Sequence, residues 1–217
     1  MGWSNGSGWN AKQGWSRAAV GGGGAAFTWD PATLGAQGNL ANGNRDFIQA
    51  TGSGGGNWTS VRANASQSTG LDYVEFLIVS ITSGTPNAGI GFGDATMSSN
   101  TYLGSGNSAG SLFAFPGSTF NAGIVANGTA IPSSDTVSAG DVYMLAKNQN
   151  TGKAWLGKNG SWFSGMDSVA GTGPWVTWTP SGSGPWFVAA TQNSNSGCTI
   201  RLPSTATYAS AAPAFPF

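Results

Sequence analysis

Glu75 is the only glutamate in the chain, and seven aspartates complete its carboxylates: Asp30, Asp46, Asp72, Asp94, Asp135, Asp141 and Asp167. A glycoside hydrolase needs two carboxyl groups flanking one bond, one of them kept protonated by its surroundings. Glu75 lies within Asp72-Tyr73-Val74-Glu75-Phe76-Leu77-Ile78-Val79-Ser80, where alternation along a strand puts it on the face of Tyr73, Leu77 and Val79. That position reads as paired scaffolding, because a buried carboxylate is normally satisfied by partners. Asp72 and Asp141 stand at strand starts and read as turn residues. The chain has no histidine, which removes imidazole as base or metal ligand and with it the common hydrolytic triads. Gly106-Asn107-Ser108-Ala109-Gly110 has the spacing of a nucleophile elbow, but an elbow needs a strand-to-helix turn and a histidine, so it reads as a glycine-rich loop. Residues 21–24 and 54–56, all glycine, lack the Lys-Ser/Thr of a phosphate loop. Cys198 is alone, so neither an internal disulfide nor a thiolate cluster can form. The expectation is a protein with no catalytic centre, no cofactor and no metal.

What remains for recognition is aromatic and amide chemistry. Ten Trp and eleven Phe accompany 36 Gly. Trp175 and Trp178 lie in the proline-bounded stretch Gly173-Pro174-Trp175-Val176-Thr177-Trp178-Thr179-Pro180, and Tyr102, Phe113, Phe115 and Phe120 in another irregular stretch. Aromatic faces ringed by Asn and Ser are how an uncharged module would hold a sugar, so Tyr102, Phe113, Phe115, Trp175 and Trp178 are the candidate ligand-binding residues. The competing reading is loop packing over the edge of the fold, since exposed apolar patches are rare in monomers.

Eight basic residues balance eight acidic ones, and charged residues make up 7% of the chain, against about 25% in an ordinary domain. A nucleic-acid binder needs a basic face, and a disordered tail needs high charge or low hydrophobicity; at 39% apolar content neither applies. The apolar run at residues 76–79 is far too short to span a bilayer. The opening MGWSNGSGWN carries neither the basic nor the apolar region of a signal peptide, so synthesis in a reducing cytoplasm is expected.

The elements that must position these residues are strands. Glycine costs about 1 kcal/mol in a helix interior, and Ser, Thr and Asn compete for backbone partners there. From residue 25 onward strand-like pieces alternate with turn signals: 72–80, 89–93, 141–147, 153–158, 186–190 and 198–202. Asn159-Gly160, between residues 153–158 and Ser161-Trp162-Phe163, is the strongest two-residue hairpin signal. Residues 1–24 stand apart. Gly2-Trp3-Ser4, Gly8-Trp9-Asn10 and Gly14-Trp15-Ser16 recur every six residues and end in four glycines. In an extended chain an even spacing points all three indoles to one side. This is an arm on a flexible joint, with Trp3, Trp9 and Trp15 as assembly contacts, because Trp is a favoured interface anchor. The alternative is a low-complexity leader whose indoles fold back on its own domain.

From Phe27-Thr28-Trp29-Asp30-Pro31 onward the chain resembles a SPRY domain, in particular the glycine-rich version of bacteriophage and bacterial proteins. The matching pieces follow in order: Gly38-Asn39-Leu40, Trp58-Thr59-Ser60-Val61-Arg62-Ala63, Ser68-Thr69-Gly70-Leu71-Asp72-Tyr73-Val74-Glu75, Gly89-Ile90-Gly91-Phe92-Gly93, Tyr102-Leu103-Gly104 and Ala139-Gly140-Asp141-Val142. Asn150-Thr151-Gly152-Lys153-Ala154-Trp155-Leu156-Gly157-Lys158-Asn159-Gly160-Ser161-Trp162 is the most specific, and Gly184-Pro185-Trp186 closes the series. The resemblance covers about residues 25 to 210 and implies a concanavalin-like sandwich of two antiparallel sheets that binds rather than catalyses. Trp29, Trp58, Trp155, Trp162 and Trp186 fall in these segments and are expected in the core. Three positions depart from the pattern: Asn148 stands where an acid usually precedes the Asn-Thr-Gly turn, Val74 where an aromatic precedes Glu75, and Thr199-Ile200-Arg201-Leu202 where the last strand usually ends on Asn-Phe-Gly.

The expected architecture is therefore all-β: an N-terminal extended arm, residues 1–24, and an antiparallel SPRY-like β-sandwich or jelly roll, residues 25–217. The expected function is that of a non-enzymatic bacteriophage virion protein, a decoration, fibre or tail-associated subunit. The arm would join it to other virion subunits, and the sandwich would face host-surface glycan or protein. Its place would be the virion, within a homo-oligomer or larger assembly, with no nucleic-acid partner and no membrane insertion. A bacterial carbohydrate-binding or adhesin module is the alternative, and a glycoside-active enzyme on the same sandwich is a third reading.

Overall fold

The computed structural model describes residues 16–17, 27–49, 58–67, 71–81, 88–103, 110–114, 136–148, 150–163, 165–166, 168, 172–174, 176–177, 185–193 and 197–208. Their strands are β1 (Ser16–Arg17), β2 (Gly38–Ala41), β3 (Asp46–Gln49), β4 (Trp58–Gln67), β5 (Leu71–Ile81), β6 (Ala88–Gly93) and β7 (Gly110–Ala114). There follow β8 (Val142–Asn148), β9 (Lys153–Lys158), β10 (Ser161–Trp162), β11 (Val176–Thr177), β12 (Trp186–Asn193) and β13 (Cys198–Arg201). Among the described residues the only helical piece is the 3-10 turn Pro31–Thr33, capped by the Asp30 carboxylate, which accepts from the Ala32 N–H at 3.0 Å. No described helix is long and apolar enough to cross a membrane.

The strands form two sheets. The larger runs β10-β9-β8-β5-β13-β3-β2, with β1 also on β5 and β11 also on β9; the smaller runs β4-β12-β6-β7. The described pairings are antiparallel except that of β1, which lies parallel to β5 with Ser16 opposite Asp72 and Arg17 opposite Tyr73. The fold is an all-β antiparallel sandwich. Alternation decides its interior. Val74, Phe76 and Ile78 of β5, with Tyr143 and Leu145 of β8, pack against Val61 of β4, Ile90 and Phe92 of β6 and Val188 and Ala190 of β12. The intervening residues Tyr73, Met144, Ala146 and Trp155 face the other side of the larger sheet, under a cover that includes Trp162, Met166, Ala206 and Tyr208. Both faces of β8 are consequently buried.

β4 is longer than its composition suggests, and its outer edge is closed by irregular chain. Asn64 N–H donates to Thr28 O (2.8 Å), Asp30 N–H to Arg62 O (2.8 Å), Gly35 N–H to Ser60 O (3.1 Å) and Ser60 N–H to Ser99 O (2.7 Å). Trp29 makes a bridge to Ala63 in the same seam.

The Asn159-Gly160 turn joins β9 to β10 as expected. Asn159 has φ 50° and Gly160 φ 85°, the two left-handed residues of a tight hairpin whose twist suits the flanking strands. Asn159 also extends β8: its Oδ1 accepts from Val142 N–H (2.8 Å), its backbone N–H donates to Val142 O (2.8 Å), and its Nδ2 donates to Asp141 Oδ1 (2.9 Å). Burial alone would raise the Asp141 carboxyl, but hydrogen bonds from Asn159, Lys158 and the Ser138 N–H outweigh it and hold that group below its ordinary value. A side chain at Gly160 would need a positive φ and would bring its Cβ to 3.0 Å from the Tyr208 ring. Gly160→Val is therefore expected to destabilise the fold by about 1 kcal/mol or more; an unchanged urea midpoint would refute this account of the turn.

Candidate functional site

Of the five aromatic residues expected to bind ligand, Phe115, Trp175 and Trp178 lie outside the described residues, as do the assembly contacts Trp3, Trp9 and Trp15. Tyr102 is half-buried and packs with Met97, Leu103 and Ala189, its ring edge-on to Trp58 at 5.5 Å. Phe113 is not in an irregular stretch but in β7, opposite Ile90 of β6. Cross-strand pairing won over the glycine-rich flank there. Trp58 begins β4, Ala189 lies in β12, and β7 is the far border of the four-stranded sheet, so Tyr102 packs on strands roughly 10–14 Å of strand spacing away from the one that carries Phe113.

Glu75 is committed to the scaffold. Its Oε1 accepts from the Tyr73 hydroxyl (2.8 Å) and the Tyr208 N–H (2.7 Å), and its Oε2 from the Thr207 N–H (2.6 Å). The Tyr73 hydroxyl also reaches Tyr208 O at 3.2 Å. Burial, then the hydrogen bond to Glu75, pushes the Tyr73 phenol well above its ordinary range. The carboxylate thus fastens the segment after β13 onto the outer face of β5. Among the described residues no three of His, Cys, Asp and Glu converge on a point where a metal ion could sit.

A cleft of about 570 Å³ opens where four separated pieces of chain meet, lined by Thr28, Asn42, Gly43, Arg45, Leu77, Arg201, Pro203, Ser204 and Thr205. One wall is the turn between β2 and β3, in which Asn42, Gly43 and Asn44 have φ of 52°, 63° and 63°. Asn and Gly tolerate the left-handed region better than other residues. The turn is held from both sides: Trp29 N–H donates to Asn44 O (2.8 Å) and Leu202 N–H to Arg45 O (3.0 Å). Arg201 is clamped by Asp46, its Nε 2.5 Å from Oδ1 and its Nη2 2.8 Å from Oδ2. That hydrogen bond raises the guanidinium further above its already high value. No local sequence signal marks this cleft, because its walls are joined only by the folded sheets.

No protein-family model matches the sequence, and no curated protein does. Solved structures do match in shape. The SPRY domain of human HERC1 superposes with a TM-score of 0.56 at 15% identity, over 80% of this chain and 96% of that one. The fold is SPRY-like. The TRIM65 PSpry domain gives a TM-score of 0.52 at 15% identity over 82% of this chain and 92% of its own, and stonustoxin gives the same score and identity over 82% of this chain and 27% of the toxin.

Within the SPRY-like sandwich the departures from the family pattern have physical substitutes. Asn148 Oδ1 accepts from the N–H groups of Asn150 (3.0 Å) and Thr151 (3.1 Å), which is the work a carboxylate would do at that turn. Val74 is buried in the intersheet core, and Arg201 of the last strand pairs with Asp46. Trp29, Trp155 and Trp186 are buried as expected, whereas Trp58 and Trp162 are only half-buried at the rim. Asp72 is a correction: it is a buried strand residue opposite Lys147, not a turn residue, with Lys147 Nζ 3.6 Å from its Oδ2. Lys147 Nζ also donates to Trp186 O (3.4 Å), so the pair ties β5 and β8 to β12 of the facing sheet. Burial drives the Asp72 carboxyl up and the Lys147 ammonium down, each against the attraction of the other. Cys198 is buried and its thiol pushed up to about 12, which keeps it protonated and unreactive.

Proposed function

We propose that this chain is a non-enzymatic structural protein of a bacteriophage virion, a decoration, fibre or tail-associated subunit. It is made in the host cytoplasm, joined to other virion subunits by residues 1–24, and presents its SPRY-like sandwich to host-surface glycan or protein. The observation that carries a binding rather than a catalytic reading is the engagement of Glu75: the sole glutamate accepts three hydrogen bonds that hold residues 207–208 in place. A general acid or base must instead be free to reach a substrate proton. The Gly-Trp repeats support attachment, because buried indoles anchor interfaces and adjacent glycines allow close approach. The open polar cleft also suits a bacterial carbohydrate-binding or adhesin module, and the arm distinguishes the two.

Deleting residues 2–24 removes the two-residue strand β1, but β5 keeps β8 along residues 71–77 and β13 along 77–81. The truncated chain is expected to melt cooperatively as a folded sandwich and to be missing from purified virions. Recovery in virions at the level of the full chain would overturn the assignment of the arm.

A further inference from the structure

We propose that the cleft between the 42–45 turn and residues 203–205 binds a carboxylate-bearing polysaccharide, with Arg45 receiving the carboxylate. The proposal rests on the glycan-contact part of the reading above and gives that ligand a chemistry and a place.

Charge is the first argument. Lys147 is paired with Asp72, Lys158 with Asp141 and Arg201 with Asp46, while Arg62 donates to Asp94 O and lies over the Phe187 ring. Lys153 is also engaged, whereas Arg45, whose side chain is described, has no acidic, carbonyl or ring partner among the described residues. It lines a cleft whose walls hold a second arginine and no acidic residue. Asp46 is the acid next to Arg45 in sequence, and both its oxygens are taken by Arg201. The cleft therefore has a net positive charge in a chain whose charges sum to zero. A planar guanidinium matches a carboxylate through two parallel hydrogen bonds.

The remaining walls select the body of the ligand. Thr28, Asn42, Ser204 and Thr205 offer hydroxyl and amide groups that can both donate and accept, as sugar hydroxyls do, and Leu77 and Pro203 are the larger apolar liners. The volume falls in the range of about 300–1,000 Å³ typical of small-ligand sites. A peptide would need a free strand edge or apolar side-chain pockets, and the strands that contribute lining residues, β5 through Leu77 and β13 through Arg201, are both interior to their sheet. Because Trp29 and Leu202 hold the turn in its left-handed conformation, little ordering remains to oppose binding.

The test is titration calorimetry on the full chain with oligosaccharides of galacturonate, of mannuronate and guluronate, and of sialic acid, beside neutral galactose and mannose oligomers and a peptide with a free C-terminal carboxylate. At least one acidic oligosaccharide is expected to bind tenfold or more tightly than its neutral counterpart. That affinity should fall at least tenfold in Arg45→Gln and weaken as salt rises. Matched melting curves for the two proteins exclude misfolding as the cause. No binding across the acidic panel, equal affinity for neutral oligomers, no effect of Arg45→Gln, or tighter binding of the peptide would each overturn the proposal. None of these outcomes bears on the arm, whose deletion reads virion incorporation alone.

Discussion

Lys147→Ala is expected to cost the fold about 3–5 kcal/mol, because it strands a buried carboxylate without its counter-ion. Asp72 and Lys147 face each other across β5 and β8 and are almost wholly inaccessible, with side-chain exposures of 9% and 1%. Neither charge can turn to water when the other is removed. Lys147 also donates to Trp186 O in the facing sheet, so its loss removes a link between the two sheets as well. Removing both charges is a different matter, since a buried pair replaced by apolar side chains of similar volume is often neutral in stability. Asp72→Leu combined with Lys147→Met is expected to recover most of the loss. Urea unfolding of Lys147→Ala reads the loss, and that of Asp72→Leu, Lys147→Met and the double variant reads the coupling directly. Additive losses in the double variant would show that the two residues do not act as a pair.

Trp29→Ala should be comparably severe, also at about 3–5 kcal/mol, the usual cost of deleting a large aromatic from a packed core. The indole is fully buried, edge-on to Phe47 at 6.2 Å and stacked on Phe76 at 6.3 Å. Its Nε1 donates to Ile200 O at 3.4 Å, and its backbone bridges Ala63 of the other sheet. One residue thus touches β3, β5 and β13 on one side and β4 on the other. Trp58→Ala, at the half-buried rim beside Tyr102, is expected to cost clearly less by the same urea measurement. Equal losses at the two positions would contradict this division between core and rim.

The parts of this architecture that could be read along the chain are those specified locally. Residues 72–80 contain neither Gly nor Pro and became most of β5, and Asn159-Gly160 could form little other than a tight turn. β4 was harder to see. Its sequence, Trp-Thr-Ser-Val-Arg-Ala-Asn-Ala-Ser-Gln, has few bulky strand formers, and its ladder to β12, whose paired residues lie 119 to 135 positions later, is what makes it a strand. Asp72 looked like a turn residue because its partner Lys147 enters from another strand, and two of the three partners of Glu75 lie 132 and 133 residues away. The cleft was invisible for the same reason: Thr28, Arg45, Leu77 and Thr205 become neighbours only after both sheets close. The SPRY-like fold was legible because it rests on many ordered segments, while the chemistry proposed for the cleft rests on single residues without a local signature.

The seam along the outer edge of β4 bears on whether copies of this protein can pair edge to edge. Copies of a chain with zero net charge do not repel one another at long range, so charge gives it little colloidal protection. An open strand edge would then invite copy-to-copy pairing and fibrillar growth. Residues 28, 30, 35 and 99 occupy the hydrogen-bonding positions of that edge from within the same molecule. Along this border, pairing between copies is blocked by the chain's own backbone instead of by charge, a barrier that salt does not screen.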